Sequence, residues 1–369
     1  MSVLSLFDRI KDQCMNYDDS FLPDDVVHAL REHRGFSLLL PEALGGPQMP
    51  FPDYLHFVQS VATLDGSAGW CVAQGSVLAS LARLLPHDTA RKIWVSPDVS
   101  IANGPPVRAA TRRDGNDFIL SGCWTFSSGI NHSDWLLGVA SLKQDGQSPR
   151  GIWHIFKKDK AKIINTWQVA GLKGTGSYQF EVEELSIPAE MTFEAGIRKD
   201  DPHLYQIPMN LLFACGFASV ALGVSRAALN FAIDRVKKKI KRLDRHSMSD
   251  SQLTQDQIGR AEGLWQSADS YLRYQVSAVW EDVCRENSCS LENRVKLRLA
   301  GTHTIRQAKE VTDIVYDLCS TDSIFQRNDI QRRFQDIHVI SQHLQGRPEI
   351  YSIVGRHYLG MPVNSHLVN

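Results

Sequence analysis

The chain has 369 residues, 43% hydrophobic and 22% charged, which allows two or three domains around sizeable cores. A formal net charge of -1 gives it no field to gather nucleic acid or an anionic membrane surface. The seven cysteines (14, 71, 123, 215, 284, 289 and 319) form no CxxC pair, which argues against a zinc knuckle or a disulfide framework and fits free thiols in a reducing cytoplasm. Met1 to Arg9 lacks the basic-then-apolar pattern of a signal peptide, and no uninterrupted apolar run reaches about 18 residues, so no membrane-spanning helix is expected.

From Leu4 to about Trp94 the apolar period is helical. Pro23 to His33 reads as a helix with proline and acids in its first turn, and Pro41 to Pro47 as loop. Tyr54 to Leu64 and Ala68 to Leu85 read as two apolar helices separated by Asp65-Gly66-Ser67, with Ser67 placed to cap the second. From about Pro97 to Phe193 shorter runs take over: Asp117 to Ser121, Asp134 to Ala140 and Gly151 to Phe156. Tyr178 to Glu183 alternates strictly, as a half-buried antiparallel strand does. This stretch predicts a small β-barrel or sandwich of roughly a hundred residues.

Helices return from Leu204. Phe217, Ala221, Val224, Ala228 and Phe231 make one apolar stripe; Leu253 to Val283, Leu291 to Leu318 and Ile330 to Leu344 give three more long segments, enough for a four-helix bundle. The basic run Arg235 to Arg242 reads as a solvated helix end, its cations near the negative pole of the helix dipole. The expected fold class is α+β, mostly α, with an N-terminal helical domain (1–96), a central β domain (97–195) and a C-terminal helical bundle (196–369). The absence of βαβ alternation excludes a doubly wound dinucleotide fold.

Three motifs carry chemical signals, each with a plain structural alternative. Gly171-Leu-Lys-Gly-Thr-Gly-Ser177 leads into a strand and lacks the closing Lys-Ser or Lys-Thr of a phosphate loop; it is either a flexible hairpin approach or a backbone surface laid against a flat cofactor. Trp124-Thr-Phe-Ser-Ser-Gly129 is either core-in, polar-out strand patterning or a set of hydroxyls and open backbone amides at Ser127, Ser128 and Gly129 suited to the polar edge of a heterocycle. His338 and His343 lie five residues apart, about 140° on a helix, so they do not readily share a metal. With no HExxH, no metal site is expected, and with no GxSxG elbow an α/β-hydrolase has no support.

Taken together, Leu38 to Gly46, Asp65-Gly-Ser-Ala-Gly-Trp70, Gly122 to Gly129, Trp167 to Ser177 and Arg332 to His343 resemble, in order, the landmarks of the two-component flavin monooxygenases built on the acyl-CoA dehydrogenase fold. The resemblance runs from about residue 20 to 360. It implies a homotetramer with flavin, FAD or FMN, between the β domain and the bundle, part of each site coming from a neighbouring subunit. Trp124, Phe126, Ser127 and Ser128 would meet the isoalloxazine ring, and Gly176 and Ser177 would flank the cofactor. His343 matches the histidine that the family places near the flavin's reactive edge, with Ser128 as the second catalytic candidate. Reduced flavin would arrive from a separate NAD(P)H:flavin reductase and react with O2 to a C4a-hydroperoxide, which survives only where water is excluded and a donor is fixed.

Two departures refine the expectation. The neighbourhood in which acyl-CoA dehydrogenases often carry a carboxylate base reads Ser341-Gln-His-Leu-Gln-Gly346, with no acid, which disfavours oxidation of an acyl thioester. Phenol-type members carry a histidine on the helix after Gly69-Trp70; here Cys71 to Leu85 has none, and its place falls near Leu78. With Trp70 and Leu78 in the substrate pocket and no base to ionise a phenol, the expected substrate is a small aromatic or heteroaromatic, favoured indole or an indole derivative. An acyl-CoA dehydrogenase and an amino-sugar N-oxygenase are the alternatives.

Overall fold

The computed structural model describes residues 3–14, 20–96, 98–142, 148–240, 247–363 and 367–368. Met1 and Ser2 of the N-terminal segment, Pro97, and Lys241 and Arg242 of the basic run lie outside the described residues. The helices are α1 (Val3–Cys14), α2 (Asp24–Glu32), α3 (Phe51–Leu64), α4 (Gly66–Ala79), α5 (His87–Ile93), α6 (Met209–Lys238), α7 (Gln252–Glu286), α8 (Leu291–Cys319), α9 (Asp329–Gln342) and α10 (Ile350–Tyr358). The strands are β1 (Ile101–Asn103), β2 (Pro106–Asp114), β3 (Asp117–Ser127), β4 (Trp135–Leu142), β5 (Arg150–Lys157), β6 (Lys162–Ile164), β7 (Tyr178–Ile187) and β8 (Thr192–Phe193). The order is helical, then β, then helical. The chain forms two compact units, each assembled from separate segments: Met1–Met49, Trp70–Gln168 and Lys173–Arg198 in the first; Pro50–Gly69, Val169–Leu172 and Lys199–Asn369 in the second.

In the first unit the strands hydrogen-bond as one mixed sheet in the order β6-β7-β3-β2-β4-β5-β8, with β1 parallel to β4. β2 also pairs in parallel with β4, at Ala110 and Thr111, a contact that strand patterning does not announce. The core of the sheet is aromatic. Trp124 is wholly buried, stacks on Phe180 at 4.9 Å and 14°, and packs with Leu136 and Phe156.

In the second unit α6 is buried over most of its circumference, as expected of a helix that is apolar all round. Among the described residues it is the helix long and apolar enough to cross a bilayer, although Ser219, Ser225 and Arg226 interrupt its apolar run, and 94% of its apolar window lies buried inside the protein. Asp65, not Ser67, caps α4: its Oδ1 accepts from Ala68 N–H at 2.7 Å. The basic run after α6 is tied down as well as solvated, since Arg235 Nε and Lys239 Nζ lie 2.6 and 2.8 Å from Asp322 Oδ2 and hold its carboxyl down to about 2.

α9 anchors two other segments of this unit. Arg333 donates to the last carbonyls of α3, at Leu64 O (2.7 Å) and Ala62 O (3.4 Å), and Arg332 pairs with Asp65 at 3.3 Å. Gly171 lies against the backbone of Gln335 and Asp336, where any Cβ would collide. The buried Asp336 Oδ1 accepts from Leu172 N–H at 2.6 Å.

Burial raises Asp336 from 3.8 to about 6, against the pull of Arg332 and the Leu172 bond. A carboxyl whose folded value is raised stabilises the fold below its unfolded value, and that contribution is lost as pH rises through about 6. Asp336→Asn keeps an acceptor for Leu172 and removes the charge. Its stability relative to wild type is expected to improve as pH rises from 5 to 8, by on the order of 1 kcal/mol, the rest of the effect lying between the unfolded value and pH 5. Urea midpoints across that range check it; an offset independent of pH would contradict it.

Candidate functional site

In the first unit the chemistry gathers where β3 ends. Its register with β7 shifts between Trp124 and Ser127, and the bulge puts Phe126 at φ 55°, a left-handed backbone that costs a bulky residue on the order of 1 kcal/mol or more. Phe126 stands 60% exposed, edge-on to Trp167 at 6.0 Å. Ser127 pairs with Tyr178 across the ladder, and its hydroxyl is buried with no hydrogen-bond partner among the described residues.

The same strand pairing brings three sequence landmarks together. Trp70 Nε1 donates to Ser128 Oγ at 3.0 Å, Ser128 Oγ meets Ser177 Oγ at 2.8 Å, and Ser177 Oγ meets Thr175 Oγ1 at 2.7 Å. Indole N–H donates and never accepts, so one lone pair of Ser128 is committed to Trp70. Gly176, at φ 49°, turns the chain between Thr175 and Ser177. Thr175 is the member of this hydroxyl chain that the motif did not single out.

Several expectations for this edge are corrected. Trp124 has no surface with which to meet a ring: it lies inside the sheet core and donates to Val139 O at 3.0 Å. The backbone amides expected to be open are closed, Ser128 N–H on Phe126 O (2.9 Å) and Gly129 N–H on Thr175 O (2.7 Å). Of the pair expected to line a substrate pocket, Leu78 is wholly buried in α4, and Trp70, also buried, is held by its bond to Ser128.

In the second unit His343 lies one residue beyond α9, at the start of a single 3-10 turn, so the helical angle relating it to His338 does not apply. His338 Nε2 pairs with Asp313 Oδ1 at 2.9 Å, and among the described residues no cluster could hold a metal ion. His343 Nδ1 accepts from Gln345 N–H at 3.3 Å, and its ring meets Phe217 edge-on at 4.9 Å. Burial first, then the like charges of Arg347 and Arg298, lowers it from 6.5 to about 4. It is therefore neutral at physiological pH, with Nδ1 an acceptor and the proton on Nε2. Sequence reasoning also missed Arg298, whose signal was a charge at an apolar position of the α8 stripe.

A helical–sheet–helical chain with hydroxyls gathered at a bulged strand end and a neutral histidine after the fourth long C-terminal helix has the architecture of an acyl-CoA dehydrogenase-fold flavoprotein. Residues 215–348 match the family described as acyl-CoA dehydrogenase, C-terminal domain. The fold is that of XiaF from Streptomyces sp. in complex with FADH2 and glycerol, with a TM-score of 0.91 over 98% of this chain and 95% of that one at 18% identity. Indole-3-acetate monooxygenase of Pseudomonas putida is 29% identical over 344 residues, 91% of this chain and 87% of that protein. The flavin-dependent monooxygenase oxygenase subunit HsaA of Rhodococcus jostii (strain RHA1) is 23% identical over 360 residues, 94% of each. The chain has the acyl-CoA dehydrogenase fold and is similar along about nine-tenths of its length to oxygenase components of flavin-dependent monooxygenases.

Proposed function

We propose that this chain oxygenates the ring of indole or an indole derivative, using reduced FAD or FMN delivered by a separate NAD(P)H:flavin reductase. Bound reduced flavin with O2 supplies the electrophilic oxygen. The observation that carries the reading is the Trp70–Ser128–Ser177–Thr175 hydrogen-bond chain beside an exposed, strained Phe126. The exposed Phe126 face and a fixed Ser128 hydroxyl suit the flat body and polar rim of an isoalloxazine, whereas Ser127, wholly buried like Trp124, has no surface to offer it. Ser128, held by Trp70 and Ser177, keeps its own proton for the flavin's polar edge when Ser177 donates to it. His343 holds a second donor proton on Nε2. The preference for an indole ring is supported by the likeness to indole-3-acetate monooxygenase and by the missing helix histidine; the electron-rich C2=C3 bond needs no base to make it nucleophilic.

The test is a product assay with indole and simple indole derivatives, with reduced flavin supplied externally. A pigment or an oxygenated indole is expected, whereas stoichiometric hydrogen peroxide with no product from any indole overturns the reading. Ser128→Ala is expected to weaken binding of oxidised flavin by about tenfold, the scale of one hydrogen bond to a polar ligand, read by flavin fluorescence. Unchanged affinity removes Ser128 from the cofactor site.

A further inference from the structure

Every residue of α4 is buried except Gln74, which is half-buried. Trp70, Cys71, Val77 and Leu78, one turn before and after it, are closed to solvent, so the surface of Gln74 is reached through a recess between them. A polar side chain at such a place is costly unless something answers its polar atoms.

The amide is answered on one side only. Gln74 Nε2 donates to Asn103 Oδ1 at 2.6 Å, and Asn103, itself half-buried, is the last residue of β1. Gln74 Oε1 and Asn103 Nδ2 have no partner among the described residues. With Nε2 committed to Asn103, the carbonyl of Gln74 points away from it. The next residues place this pair beside the bulge. Gly104 lies against Thr125 O, where any Cβ would collide, and Thr125 N–H donates to Pro105 O at 3.1 Å. One turn before Gln74, Trp70 is bonded to Ser128. α4 is thus tied to the chain on both sides of the exposed Phe126, through Gln74 near Thr125 and through Trp70 at Ser128.

A neutral carbonyl fixed in a recess beside an aromatic face calls for a neutral donor on a flat ring. It accepts a hydrogen bond and cannot take the proton away. We propose that Gln74 Oε1 accepts the ring N–H of the substrate, so that Gln74 determines specificity and Asn103 is the positioning residue that fixes its amide; this rests on the function proposed above. A bicycle without an N–H leaves that carbonyl unanswered when it covers the recess, and the cost is the discrimination.

Binding of indole and of benzofuran, the same bicycle with an oxygen acceptor in place of the N–H, is measured by calorimetry on the full chain with oxidised flavin. Wild type is expected to favour indole by on the order of 10-fold, the scale of one hydrogen bond. Gln74→Met, which keeps the length of the side chain and removes the amide, is expected to bind the two rings alike. Gln74→Glu keeps an acceptor and is expected to keep the preference. A wild-type protein that binds both rings equally, favours benzofuran or binds neither overturns the proposal. Product is followed separately: if no indole is oxygenated, the proposed function fails, and the indole-to-benzofuran ratio still decides the role of Gln74.

The ratio is a readout that a scaffold role would not move. If Gln74→Met weakens indole and benzofuran by the same factor, the Gln74–Asn103 bond only clamps α4 to the end of β1, and the proposal falls. Asn103→Ala carries the comparison should the methionine variant not fold. Freeing the Gln74 amide is expected to narrow the preference for indole by about threefold, part of one hydrogen bond, and a ratio unchanged in Asn103→Ala overturns the positioning role and the proposal with it.

Discussion

Replacing His343 by alanine is expected to lower the fraction of reduced flavin that ends in oxygenated indole by about 100-fold, the scale of removing one preorganised donor from a reacting centre. The missing electrons should appear as hydrogen peroxide, so product and peroxide are counted side by side per reductant consumed. The argument is geometric first. Gln345 N–H occupies Nδ1, and the Phe217 edge holds the ring plane, so the proton of neutral His343 sits on Nε2 in a fixed direction. The charge state follows from the surroundings. Burial, Arg347 and Arg298 all oppose protonation and bring the group to about 4.

The sign for pH is then determined. Between about 6.5 and about 4 the unfolded chain takes up a proton at this position and the folded chain does not. The fold therefore loses stability as pH falls through that window while the donor itself is unchanged. Any acid limb that His343 imposes on the coupling ratio should lie near pH 4. A limb near 6.5 that vanishes in His343→Ala would reveal a titrating histidine and defeat the neutral-donor reading.

What could be read from the sequence was periodicity, and what could not was pairing across distance. The long C-terminal helices α6 to α9 were legible because each carries an apolar stripe, and β7 because Tyr178, Phe180 and Val182 alternate with half-exposed residues. β2 was not legible: of its nine residues only Thr111 is buried, so it has no period to find. The choice of Asp65 over Ser67 as the cap of α4 is fixed partly by Arg332, a contact no local pattern encodes.

The candidate site divides the same way. Trp70, Ser128 and Ser177 were each visible as polar or aromatic members of short landmarks, but their meeting depends on the β3–β7 register, with Ser127 opposite Tyr178. His343 was legible as a residue; its tautomer was not, because α9 ends at Gln342 and frees the ring to accept from Gln345. Arg298 was visible as a charge on a buried stripe. That its hydrogen-bond partners, Gln345 and Asn210, are neutral is a property of the folded interior alone.

Trp124 against Phe126 is the sharpest case in which residue type and residue environment part company, and it sets the second large effect. Trp124→Ala is expected to cost about 3–5 kcal/mol of stability, the range for emptying a buried aromatic position. It removes the stack on Phe180 and the bond to Val139 O, and the space cannot collapse easily, because the neighbours beneath the indole are Gly122 and Gly138, which have no side chains to move in. The denaturant midpoint should fall with little change in slope. Phe126→Gly should behave in the opposite way. Its side chain is mostly exposed and its backbone left-handed, so glycine relieves strain and leaves stability equal or about 1 kcal/mol higher. Flavin affinity should fall in the Phe126 variant and, at temperatures where the Trp124 variant is folded, stay near wild type in that one. If instead Trp124→Ala kept its stability and lost flavin, the indole would have to face the cofactor and the core assignment would be wrong. The two landmarks stand two residues apart, on a strand whose bulge turns the second outward, and that bulge is what makes a core tryptophan and an exposed phenylalanine of two aromatics that read alike.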